Sequence, residues 1–222
     1  MTAEEIIAQL KTYESAKNRE GMARFGITGE NVLGGPNLPT LRKIAKEIGR
    51  NHELALELWN SGIHEARMLA VFIDEPDKVT EKQLDDWAAD FDSWDICDQT
   101  CSNLFDKTDF AYRKAFELVK REEEFVRRTG FVIITALSVH DKKMADEEFV
   151  KFFPMIKKYA TDERNFVKKA VNWCLRQIGK RNKELNKKAI KLAEEIKQID
   201  SKSARWIAAD ALRELNNKKF GL

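Results

Sequence analysis

Apolar residues recur every three to four positions along almost the whole chain, the spacing of helices that turn one face to a core. Short turns interrupt the pattern. It predicts helices over roughly 2–17, 38–49, 53–61, 64–74, 80–90, 93–105, 110–120, 123–139, 147–160, 165–181, 183–197 and 202–217. No stretch of useful length alternates apolar and polar residues as a strand would. The least periodic segment is FGITGENVLGGPNLP, residues 25–39, whose glycines and prolines predict a loop before the helix at Leu41.

The helices also look paired. EARMLAVFI, VRRTGFVII, VKKAVNWCL and SARWIAADAL each place a basic residue ahead of a mostly apolar run. Aligning Arg128, Lys169 and Arg205 gives spacings of 41 and 36 residues, close to those of two-helix repeats. Stacked helical hairpins are the expectation, with a compact bundle as the alternative.

Composition narrows the class. At 222 residues and 43% hydrophobic content the chain suits one sizeable domain, 1–222. Four prolines and ten glycines are too few for an all-β sandwich with many turns. No apolar run approaches the roughly 20 residues of a membrane span, and the acid-bearing start MTAEEIIAQLKTYESAKN is unlike a signal peptide. Three cysteines, Cys97, Cys101 and Cys174, are an odd number without metal-site spacing, so a reduced, cytoplasmic protein is expected. Net charge is +2, but residues 1–111 hold 12 Lys and Arg against 21 Asp and Glu, while residues 112–222 hold 27 against 16. The second half is therefore a candidate surface for a polyanion, or simply a set of solvated helix faces.

Candidate chemistry is sparse. On a wheel of residues 166–181, Val167, Ala170, Val171, Cys174, Leu175 and Ile178 form the core face. Trp173 points away from it, among Lys169, Arg176 and Lys180. That is a stacking platform edged by phosphate ligands, or an aromatic buried against a neighbouring hairpin with cation–π support. In DSWDICDQTC, Asp92 or Ser93 caps a helix and Asp95 suits its first turn. Cys97, Cys101 and Leu104 form the apolar stripe, with Trp94, Phe105 and Asp98 at its margin. Asp98 has no capping role there: it serves a site or pairs with an arginine. A carboxylate beside aromatic faces suits stabilisation of a developing cation, as in glycosidic cleavage. His52, His64 and His140 are scattered, with no H-E-x-x-H, nucleophile elbow, P-loop or Rossmann pattern. Trp206 and Asp210 repeat the Trp-x3-Asp spacing, followed by Arg213, and read as a structural or DNA-contacting feature of the last repeat.

Together SWDICDQ, VRRTGFVI and VKKAVNWCLRQIGK resemble the AlkD-like family of DNA alkylation repair glycosylases, over roughly residues 20–215. The resemblance implies an all-α, right-handed solenoid of HEAT-like antiparallel helix pairs with a basic concave face for duplex DNA. It implies cofactor-free and metal-free hydrolysis of the N-glycosidic bond of cationic N3- or N7-alkylpurines by a monomer. Carried over by position, Asp98 is the catalytic carboxylate, stabilising the sugar cation and placing water. Trp94 and Trp173 then pack against deoxyribose and backbone, and Arg128 and Arg176 hold phosphates or orient Asp98, with Lys169 and Lys180 as further DNA contacts. The chain departs from the family at Phe25, where a tyrosine is expected, and at Ser93–Trp94, where relatives can have two tryptophans. A noncatalytic nucleic-acid-binding module and a protein-interaction scaffold are the competing functions.

Overall fold

The computed structural model describes residues 1–29 and 31–220. Within them the chain is all-helical and folds as two compact units, Met1–Asp109 and Phe110–Leu222. The division falls where the charge balance turns over: residues 110 and 111 are uncharged, so the unit sums equal those of the two halves counted above.

The first unit holds α1 (Ala3–Lys11), α2 (Ala16–Ala23), α3 (Leu38–Ile48), α4 (His52–Asn60), α5 (His64–Ile73), α6 (Glu81–Asp90) and α7 (Trp94–Asn103). The helix expected over 2–17 ends early, because Ser15 accepts a hydrogen bond from the Asn18 amide and starts α2. Gly49, at φ +80°, closes α3 in a conformation open mainly to glycine. Helix α5 packs on α3, α4 and α7 and is buried along nearly its whole length. Beside it Trp59 and Trp87 stack at 3.8 Å, and Phe91 closes on the Trp59 edge.

The second unit holds α8 (Ala111–Leu118), α9 (Glu124–His140), α10 (Asp146–Lys151), α11 (Phe153–Tyr159), α12 (Asn165–Lys180), α13 (Lys183–Lys197) and α14 (Lys202–Asn216). One helix was expected over 147–160, but Pro154 sits in the first turn of α11, where its missing N–H costs nothing and the chain can restart. Helix α9 packs against α8 and α12, and α12 also meets α13 and α14. Gly130 allows the first of these contacts. A Cβ there would lie 2.7 Å from the Ala115 carbonyl oxygen and 2.8 Å from the Val119 nitrogen.

Arg127, the neighbour of the aligned Arg128, repeats the contacts of Arg67. Arg127 donates to the Val119 carbonyl (3.0 Å) and pairs with Asp162 (2.8 Å), just as Arg67 donates to the Trp59 carbonyl (3.3 Å) and pairs with Asp90 (3.6 Å). Each arginine ties the end of the preceding helix to a later acid. Arg128 is turned inward, only 4% exposed, and bonds the Phe166 carbonyl.

Candidate active site

Helix α7 begins at Trp94, so Trp94 and Asp98 stand one turn apart, and both are half-buried. Ser93 is the N-cap residue but makes no side-chain capping bond. The first turn is held by Asp95 instead, whose Oδ2 lies 3.0 Å from His64 Nε2. Burial works against charge on both partners, yet their mutual hydrogen bond and attraction outweigh it. His64 is raised above its ordinary value of 6.5, with Glu65 and Asp92 adding to the pull. Asp95 is lowered below 3.8.

Trp94 donates its indole N–H to the Phe25 carbonyl (2.9 Å), and the Phe25 side chain is 72% exposed beside it. With Lys17, Arg24 and Met22 they border an open depression of about 720 Å³. Phe105, expected at the margin of the α7 stripe with Asp98, is instead fully buried. It leaves α7 on a short 3-10 turn and packs against Trp87 and Phe91. Trp94 is thus the aromatic that shares the α7 surface with Asp98.

The loop ahead of α3 is organised by a residue the periodicity did not single out. Glu65 is 2% exposed and its carboxylate accepts from three backbone amides: Leu33 (2.9 Å), Gly34 (2.9 Å) and Gly35 (3.3 Å). The His64 amide adds a bond to the Asn31 carbonyl (3.1 Å). His64, Glu65 and Asp95 line a cavity of about 250 Å³ together with Pro36 and Leu41. The available signal was an acid at the start of an otherwise apolar helix, but such an acid equally suits the helix dipole.

In the second unit Trp173 lies off the core face of α12, half-buried, as the wheel predicts. With its oxygen turned toward them, the Gln177 amide accepts from Trp173 Nε1 (3.1 Å) and Lys180 Nζ (3.3 Å). The four candidate DNA contacts differ in availability. Lys169 is exposed, and Arg128 is buried. Arg176 and Lys180 both engage Glu214 of α14, Lys180 at 2.6 Å, and Arg176 also approaches Asp210 at 3.6 Å. Asp210 further accepts from Asn172 (2.7 Å) and pairs with Arg213, so it serves as a tie between α12 and α14.

Cys97, Cys101 and Cys174 are buried and unbridged, and burial pushes the Cys101 and Cys174 thiols well above their ordinary range, away from nucleophilic use. Among the described residues no cluster of three His, Cys, Asp or Glu is arranged to hold a metal ion, and no helix is long and apolar enough to cross a membrane.

The all-helical fold is that of a protein of HEAT-like helical repeats. The family described as DNA alkylation repair enzyme matches residues 6–215, and the chain belongs to it. An uncharacterized protein of Listeria innocua is 23% identical over 202 residues, covering 90% of this chain and 88% of that protein. One of Listeria monocytogenes is 21% identical with the same coverage. Among solved structures, a member of a new family of proteins related to the HEAT-like repeat DNA glycosylases, with affinity for branched DNA structures, aligns with a TM-score of 0.79. It is 19% identical and covers 100% of this chain and 99% of its own.

Proposed function

We propose that this protein is a monofunctional DNA glycosylase that removes cationic N3- and N7-alkylpurines from duplex DNA, with Asp98 as its catalytic carboxylate. The observation that carries the reading is Asp98 itself: an acid past the first turn of α7, half-buried, one turn from Trp94. An alkylated purine leaves without prior protonation, because the electron pair of the breaking C1′–N bond neutralises its positive charge. The sugar is left with oxocarbenium character, which a nearby carboxylate stabilises electrostatically. Water then adds its oxygen to C1′ and gives its proton to the Asp98 carboxylate. No metal or cofactor enters these steps.

Trp94 supplies an aromatic wall against the deoxyribose. Trp173 and Lys169 contact the DNA backbone, and Arg128, Arg176 and Lys180 support that grip. Arg176 and Lys180 exchange Glu214 for phosphate when they do so. The family match supports the repair context, and the charge of the second unit supports a polyanionic partner.

The test is release of 7-methylguanine from methylated duplex DNA by the wild type and Asp98→Asn side by side. Release by the wild type alone is expected. No release by either, with folding and salt-sensitive DNA binding intact, refutes catalysis and leaves a noncatalytic DNA-binding protein.

A further inference from the structure

Trp206 has no part in the chemistry above, yet it is 42% exposed on α14. A tryptophan normally buries most of its large apolar surface, so an exposed ring on a well-packed helix marks a contact surface. The opposite side of α14, with Ala204, Ile207, Ala208 and Ala211, is fully buried and holds the helix to α12 and α13. The ring is therefore carried on a rigid element.

Its surroundings are cationic and open. Lys202, one turn before it, and Ala209, nearly one turn after, are exposed on the same face. Ala209 adds only a methyl group on that face, while Asp210, one turn after the ring, is paired with Arg213. From α12, Lys168 places its Nζ 5.1 Å from the ring centroid. The acids in this region are already engaged: Asp200 with Arg205 at 2.9 Å, and Asp210 with Arg213 and Asn172.

We infer that Trp206 is a stacking platform for an unpaired nucleobase, with Lys202 and Lys168 holding the flanking phosphates, so that the protein takes DNA carrying a single-stranded segment. Stacking needs an open aromatic face and is tolerant of base identity, while the cations supply the salt-sensitive hold on the backbone. In an intact duplex every base is stacked on its neighbours, and the ring finds no partner. The inference rests on the reading of this protein as one that binds DNA, and not on catalysis.

The test compares binding, by fluorescence anisotropy, of a short duplex and the same duplex extended by a single-stranded thymidine tail. The wild type is expected to prefer the tailed duplex about fivefold or more, the lower end of what one base–aromatic stack provides. Trp206→Ala is expected to bind the plain duplex as the wild type does and to lose the preference, and Trp206→Phe to keep most of it. A preference that survives Trp206→Ala overturns the inference, as does a wild type that binds both DNAs equally. A wild type that binds neither defeats the DNA-binding reading as well. Should Trp206→Ala melt early, Lys202→Glu replaces it: this solvent-side change is expected to weaken the tailed duplex more than the plain one, and an equal effect on both overturns the inference.

Discussion

Glu65 offers the sharpest check on how the loop before α3 is held. Its Oε2 accepts one amide, that of Leu33, and its Oε1 accepts two, those of Gly34 and Gly35. Glu65→Gln keeps an oxygen for the Gly34 and Gly35 pair but turns an NH2 toward the Leu33 N–H, leaving that donor orphaned. One buried unsatisfied donor costs about 1–3 kcal/mol. Glu65→Ala removes both acceptor oxygens and with them all three hydrogen bonds, and even with water entering the gap the cost rises to roughly 3–6 kcal/mol. Urea unfolding reads these differences directly. In thermal melts of a chain this long each kcal/mol lowers Tm by about 2–4 °C. A glutamine variant as stable as the wild type, or an alanine variant no worse than the glutamine one, would refute the three-amide account.

Further outcomes follow from the same geometry. Trp173→Ala, at a half-buried position off the core face, is expected to cost under about 1.5 kcal/mol of stability while lowering excision tenfold or more. A large fall in Tm with unchanged excision per folded molecule would make Trp173 a packing residue. Glu214→Ala removes the acid that competes with phosphate for Arg176 and Lys180, so DNA binding should tighten at a given salt concentration; an unchanged affinity would show that neither cation reaches DNA. For the His64–Asp95 pair the sign is set by the shifts: the raised His64 contributes stability that is whole below pH 6.5 and fades as pH rises through its higher folded value. The lowered Asp95 contributes stability present above pH 3.8 and lost as pH falls through its lower folded value. His64→Gln should therefore flatten the loss of Tm as pH rises above 6.5, and a pH profile parallel to the wild type would exclude the pair as its source.

Much of the fold was legible because helical periodicity is a local property. The span of α13 is the expected one, and α3, α4, α5, α9, α12 and α14 fall within a residue or two of their periodic segments. The breaks at Ser15 and Pro154 were not, since a good N-cap or a proline can sit inside an amphipathic run without disturbing its spacing. Trp94, Asp98 and Trp173 stood out as side chains at odds with the core stripes of their own helices. Phe105 was misjudged because a continuous wheel cannot register a helix that ends at Asn103 and turns its next aromatic inward.

What the chain alone determined is therefore the all-helical class, the pairing of helices and the presence of an acid and two tryptophans that the core does not absorb. Tertiary packing decided which charges remain available. Arg176 and Lys180 look like phosphate ligands on their own helix, but Glu214 meets them from α14, 38 residues beyond Arg176. Glu65 looks like a dipole acid until the loop at Leu33–Gly35 folds over it. Helical periodicity is set within a few residues, while the partner of a charged group is set by which helices pack together, and no local pattern carries that information.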